Sequence, residues 1–351
     1  MKIEAPQGKD DLTEFLLFHD KVYESRSARW PVVLQLHLPI LTGKSPFSKG
    51  RKFRPLAVRE KGEIVARAVA MLDETYYRHW NERLGHVLYF EALPNTREAV
   101  KALMDSACEW LKGQGAEAAR CGFGLMEFPF VLDEYDLLPP ALARQNPIYY
   151  HCLLKDAGFE SEKGWVDYKI RVTPELVSRY QSAVEAGRRT GCEIMRLADV
   201  PESRRYREFT QTFNEAFKNH WGETPRTEEQ FAYVLGPVLN TSVMAYRGAE
   251  PVGVLPVVRE HSERAVLRPG RVLEDCEKLN MLGIGVRESA RGTGVNLAMA
   301  GYGFLELIRR GAKYLSYTMV VDDNWPSRRT AEKLGAYVCA NFMVYRRNFR
   351  H

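Results

Sequence analysis

The stretch VRESARGTGVNLAM, residues 286–299, follows a strand-like run, LNMLGIGV (279–286), and opens a helical pattern that stops at Gly311. A strand that turns through Arg291-Gly292-Thr293-Gly294 into a helix leaves unpaired N–H groups at the helix N-terminus. The helix dipole adds positive potential there, so the turn favours an anion. Gly292 and Gly294 remove side chains where a phosphate must approach the backbone. Arg287 and Arg291 can add charge-assisted contacts. Leu297, Gly301, Phe304, Leu305 and Ile308 recur at helical spacing and predict a core-facing stripe. Taken alone, R-G-T-G is equally a plain turn, because glycine is the common turn residue. Two other phosphate motifs fail. No lysine follows the second glycine as Walker A requires, and LTGKSPF (41–47) has Leu38 where its leading glycine belongs. Nor does G-x-G-x-x-G follow the strand directly.

Outward from this stretch the chain repeats an order of elements. FRPLAVREKGEIVARAVAML (53–72) and TSVMAYRGAEPVGVLPVV (241–258) each read as a β-hairpin, two apolar strands joined by a turn containing glycine. After each come a strand, a long helix, a strand and a short helix ending in glycine. The offset is roughly 180 residues, one domain each by the usual size range. Between the halves, RVTPELVSRYQSAVEAGRRTG reads as a connecting helix with Thr173 as N-cap and Pro174 at the first helical position. The expected organisation is residues 1–172, a connecting helix over 173–191, and residues 192–351. In the second half, Tyr206, Phe209, Phe213 and Phe217 share a helical face, and Thr227 with Gln230 forms a capping-box pattern.

Composition narrows the class. The 351 residues are 45% hydrophobic and 27% charged, with a net charge of +5. That balance fits a soluble globular protein with an anionic small ligand and gives little support to nucleic acid. The basic segment KSPFSKGRKFRP (44–55) is expected to be a solvated loop. Six cysteines without paired spacing read as reduced core residues. No metal-ligand spacing appears among the eight histidines, so no metal is expected. Without an apolar leader or a membrane-length apolar run, the expected location is the cytoplasm, with no membrane partner.

Arg291-Gly292-Thr293-Gly294-Val295-Asn296 resembles the R-x-x-G-x-(Gly or Ala) loop of the GNAT acyltransferase superfamily. Asn324 opening a short helix that ends at Gly335-Ala336 resembles its second signature, and Val252-Gly253 suits its hairpin. The resemblance covers roughly residues 192–351. The first half is fainter: EALPNTREAV stands where the loop should be, with Pro94 and no glycine pair, although NPIYYHCLLKDAGF (146–159) is similar to the second signature. With FLLFHDKVYESRSARWP near the start and LDEYDLLPP (132–140), the chain resembles uncharacterised bacterial tandem-GNAT proteins with a degenerate first half. That resemblance implies an α/β (α+β) fold of two tandem GNAT-like domains, each a mixed, mostly antiparallel central sheet flanked by helices.

It also implies acetyl-CoA or another acyl-CoA as co-substrate and an N-acyltransferase, most simply an N-acetyltransferase. The acceptor would be a small amine or a peptide N-terminus. The pyrophosphate loop would comprise Arg287, Arg291, Gly292, Thr293, Gly294, Val295 and Asn296, with Asn324 nearby and the backbone of Ile284 and Val286 facing the pantetheine. Gly283 and Gly285 inside that strand suit a bulge or a close ligand. Two departures stand out: Asn296 occupies a position usually held by Gly or Ala, and Ala331 stands where members often carry an acidic Tyr. His220 and Glu223, in FKNHWGETP (217–225), are the candidate catalytic bases; Tyr317, Asp322 and Asp323 are alternatives. A CoA-binding regulatory protein and a long-chain acyl or aminoacyl transferase remain open beside the first reading.

Overall fold

The computed structural model describes residues 1–349. Both anticipated hairpins form. Arg51–Glu60 pairs with Glu63–Asp73, and Val243–Arg247 with Glu250–Leu255. The first turns through Lys61 and Gly62 at φ +51° and +89°, a left-handed pair that closes a tight hairpin. Thr173 accepts a hydrogen bond from the Leu176 N–H and Pro174 opens the connecting helix Pro174–Arg189. The capping box of Thr227 and Gln230 closes reciprocally at the start of Glu228–Leu235.

The sheets do not follow the order of the chain. The larger runs Lys2–Glu4, Arg51–Glu60, Glu63–Asp73, Leu84–Ala92, Ala118–Cys121, Tyr337–Asn348, Glu160–Arg171 and Tyr314–Val321, with Phe130–Val131 also beside Tyr337–Asn348. Leu84–Ala92 and Ala118–Cys121 pair in parallel and the other neighbours antiparallel. The last strand of the second half therefore lies between two strands of the first, with Tyr345 opposite Cys121 and Phe342 opposite Trp165. The last strand of the first half, Glu160–Arg171, separates Tyr337–Asn348 from Tyr314–Val321. A smaller sheet holds Gly285–Val286, Glu250–Leu255, Val243–Arg247 and Cys192–Arg196 in that order. The architecture is thus α+β with mixed, mostly antiparallel sheets, and a shared strand layer joins the halves.

The helix after the glycine-rich stretch, Val295–Arg309, buries more than the expected stripe. Val295, Ala298, Met299, Gly303, Phe304 and Leu307 are buried with Gly301, whereas Leu297, Leu305 and Ile308 are only partly so. The helix is sandwiched between the small sheet and the connecting helix. A Cβ at Gly301 would stand 2.9 Å from the Tyr180 carbonyl, and one at Gly303 would strike Leu255. Two buried faces require small residues where a one-stripe reading expects large ones. The cysteines also differ from expectation: Cys108, Cys121 and Cys192 are buried, Cys152 is exposed, and Cys276 and Cys339 lie between. Among the described residues no helix is long and apolar enough to cross a membrane, and no cluster of three metal-ligating side chains occurs.

Candidate active site

Two strands that begin side by side create the site by parting. Met281–Leu282 pairs with Val257–Val258, and the Ser316 hydroxyl donates to the Asn280 carbonyl. The regular ladder then breaks at Gly283 and Ile284, with Gly283 N–H turned to the Pro256 carbonyl at 3.1 Å. It resumes as Gly285–Val286 opposite Val254 and Gly253. The neighbouring strand, Tyr314–Val321, pairs instead with Glu160–Arg171 in the other sheet, and its own register breaks between Tyr317 and Val320, where Met319 takes φ +56°. Between the diverging edges lies an open cleft of about 710 Å³. A Cβ at Gly283 would meet nothing closer than 3.8 Å, but one at Gly285 would stand 2.5 Å from Phe217. Gly285 therefore makes room for the end of the helix Glu202–Ala216 and the following Phe217.

The R-G-T-G loop forms one end of this cleft. Gly292 and Gly294 sit at φ +76° and +83°, the left-handed region that favours glycine, with open space where a Cβ would point. None of the N–H groups of residues 292–297 has an acceptor among the described residues. Free donors at a helix N-terminus favour an anion there. Arg291 lies over the loop, donating to the Val286 and Ala216 carbonyls at 3.2 and 3.1 Å. Thr293 donates its hydroxyl to the Ala290 carbonyl and Val295 is in the core, so neither side chain is among those that line the cleft. Asn296 reaches across to Thr330 at 3.2 Å, giving a partner to the side chain that departs from the Gly-or-Ala pattern. Arg287 does not line the cleft. Carboxylate oxygens of Glu215 and Glu250 lie 3.1 and 3.3 Å from its guanidinium.

On the opposite wall, the Asn324 side chain accepts from the Ser327 N–H and starts the helix Trp325–Lys333. The Ser327 hydroxyl lies 3.0 Å from the Tyr317 hydroxyl. Burial pushes the Tyr317 phenol above its ordinary value, so it keeps its proton at neutral pH and suits an acid better than a base. Ala331 is buried and offers no hydroxyl. Tyr317 was legible as a cleft-strand residue, but its link to Ser327 joins positions ten apart across a strand end.

The two candidate bases separate. His220 lines the cleft beside Phe217 and Asn219. Its Nδ1 is buried without a hydrogen-bond partner. Burial lowers its pKa, with Glu223 and the Trp221 backbone opposing, so the imidazole is neutral at pH 7. Glu223 faces a small cavity between the halves, paired with Arg226 at 3.4 Å, and does not line the cleft. Asp323 pairs with Lys163 at 2.8 Å and Asp322 packs against Gly164; neither is in the lining. Among the described residues no Asp or Glu lines the cleft, whose charged members are Arg291 and Lys333.

No protein-family model matches the chain. Protein YghO of Escherichia coli (strain K12) is 24% identical over 234 residues, 64% of this chain and 58% of that protein. Bacterial ceramide synthase of Caulobacter vibrioides (strain NA1000 / CB15N) is 23% identical over 242 residues, 66% of this chain and 63% of that one. The chain thus spans about three fifths of the length of these curated relatives. A tandem GNAT protein from the clavulanic acid biosynthesis pathway superposes with a TM-score of 0.61 at 11% identity, covering 99% of this chain and 98% of that one. The GCN5-related glucosamine N-acetyltransferase region of a fungal GH3 β-N-acetylglucosaminidase gives 0.62 at 15% identity, over 98% of this chain and 38% of that chain. The chain therefore has the fold of the GNAT superfamily in its tandem form and is distantly related to both curated proteins.

Proposed function

We propose that this protein is an acyl-CoA-dependent N-acyltransferase whose second half binds the donor. The observation that carries the proposal is the row of free N–H groups at residues 292–297, placed at one end of a cleft that also receives a neutral histidine. The loop donors and Arg291 would take the pyrophosphate, and the pantetheine would lie along Gly283–Val286 in the opening between the strands. The Ile284 N–H, which has no acceptor among the described residues, is available to the thioester carbonyl as negative charge grows on its oxygen. An amine attacks that carbon while His220 takes its proton. That attack forms the C–N bond, collapse of the tetrahedral intermediate breaks the C–S bond, and Tyr317 lines the cleft with a hydroxyl able to return a proton to the leaving thiolate.

A specific observation favours a long acyl group over acetyl. Phe217, Leu282, Ile284, Leu297, Met319 and Val320 make much of the wall apolar, without a carboxylate, and one distant relative is named a bacterial ceramide synthase. Thermal unfolding with acetyl-, octanoyl- and palmitoyl-CoA tests donor and length together. A bound donor at 100 times its Kd stabilises the fold by about 2.7 kcal/mol. Thiol release on adding amines then tests transfer. Binding without release with any amine would instead support a CoA-binding regulator, and no shift with any donor would reduce R-G-T-G to a turn.

A further inference from the structure

The loop that carries His220 belongs to the second half, yet the first half holds it at successive residues. His79 Nε2–H donates to the Lys218 carbonyl at 2.8 Å, and Trp80 Nε1–H to the Glu223 carbonyl at 2.7 Å. Arg226 donates back to the Leu125 carbonyl at 3.1 Å. Between these points the Arg120 guanidinium lies 4.2 Å from the centre of the Trp221 ring. Arg120 is itself immobilised: it is buried, bonded twice to Glu162 at 2.7 Å and once to the Tyr76 hydroxyl at 3.0 Å. Phe123 stacks on Trp165 at 5.0 Å and contacts Trp221 at 5.5 Å, while Trp165 meets the His220 ring at 5.6 Å. Gly222 is needed for this fit, since its φ is +75° and a Cβ would stand 2.6 Å from Phe123.

We propose that Trp80 and Arg120 are positioning residues: they fasten the backbone and the indole on either side of Gly222, and thereby hold the His220 imidazole in the cleft of the other half. Trp80 acts through the Glu223 carbonyl and Arg120 through Trp221. Neither lines the cleft. The second half contributes loop bonds such as His220 N–H to Phe217 carbonyl and Glu223 N–H to His220 carbonyl, with Asn214 bonding Arg226, and it anchors the start of the loop through Arg291 on the Ala216 carbonyl and Phe217 on Gly285. These fix where the loop leaves the cleft wall, while the stretch past His220, from Trp221 to Glu223, is held from the first half. A displaced catalytic group about 1 Å from its place loses on the order of 100-fold in rate. The role of His220 rests on the acyltransferase reading; its placement does not.

The test uses the full chain, with Trp80→Phe and Arg120→Met as variants. Trp80→Phe keeps an aromatic ring and removes only the donor, so it stays informative if Arg120→Met fails to fold. Three readings are taken: coenzyme A affinity, kcat and KM against pH with an acyl-CoA and an amine, and titration of the His220 ring by NMR. The charged group acting on His220 is Glu223, with Trp165 and Phe217 as its ring neighbours, and none of these is altered. We expect unchanged coenzyme A affinity, a fall in kcat of about 10- to 100-fold with little change in KM, and a His220 midpoint raised towards about 6.5 as water reaches the ring. Folded variants with wild-type titration of His220 would overturn the proposal. A shifted titration in a protein that transfers no acyl group would uphold the positioning and remove the acyltransferase reading.

Discussion

The two halves open their strands in the same place and treat the opening differently. In the first half, Leu84–Val87 pairs with Ala118–Cys121 and the strands part after Val87. There the gap is filled. Arg144 is largely enclosed, with one bond to Glu127 at 2.7 Å and another to the Phe90 carbonyl at 3.1 Å, its guanidinium 4.2 Å from the Phe130 ring centre. The Tyr150 hydroxyl accepts from the Ala92 N–H and donates to the buried Glu91, and Tyr149 donates to the Ala92 carbonyl. Side chains thus take the strand-edge groups that a bound pantetheine would need. In the second half the corresponding edge faces an open cleft with free N–H groups at its end. One topology can therefore leave an open cleft or close into scaffold, according to whether space or side chains occupy the gap between the strands.

Breaking this contrast gives graded effects. His220→Ala should lower the rate of transfer by about 100- to 10,000-fold, the span of general-base catalysis, with coenzyme A affinity unchanged. Its pH dependence has a definite sign. Burial holds the folded His220 pKa below the unfolded value of about 6.5. Activity should therefore persist below pH 6.5 and fall only as the ring protonates. The unfolded chain takes up that proton first, so the wild type loses stability on the acid side in a way that His220→Ala does not. Rate profiles and urea titrations between pH 5 and 8 check both.

Arg144→Met should cost about 3 kcal/mol of stability, because it takes the guanidinium from a largely buried Glu127 and leaves it only the Tyr89 N–H. It should not change coenzyme A affinity, and urea unfolding with a binding titration separates the two. Tyr317→Phe removes a hydroxyl bonded to Ser327; a fall of about 100-fold in kcat, at the low end for proton transfer, is expected from single-turnover thiol release. The smallest effect belongs to Asn296→Ala, which loses one bond to Thr330 worth about 1 kcal/mol and should shift the melting temperature only slightly.

Much of this was legible because it is local. Hairpin turns, the Thr173 and Thr227 caps and the R-G-T-G helix start are set by residues within a few positions of one another. The strand exchange was not. The run YVCANFMVYRRN (337–348) carries nothing that says Ala118–Cys121 and Glu160–Arg171 will be its neighbours. Site residues divide on the same principle. Backbone donors at 292–297 follow from the turn itself, whereas the positions of Arg287 and Glu223 depend on distant partners such as Glu250 and Trp80. Arg120 and Trp80 carried no signal, since each acts through a loop more than a hundred residues away.

The measurement that bears most directly on the contrast between the halves is calorimetric titration with coenzyme A, on wild type and Arg291→Glu. One molecule bound per chain, abolished by the substitution, is the expected result. Two molecules per chain, or one that Arg291→Glu leaves intact, would contradict the assignment of the second-half cleft as the donor site.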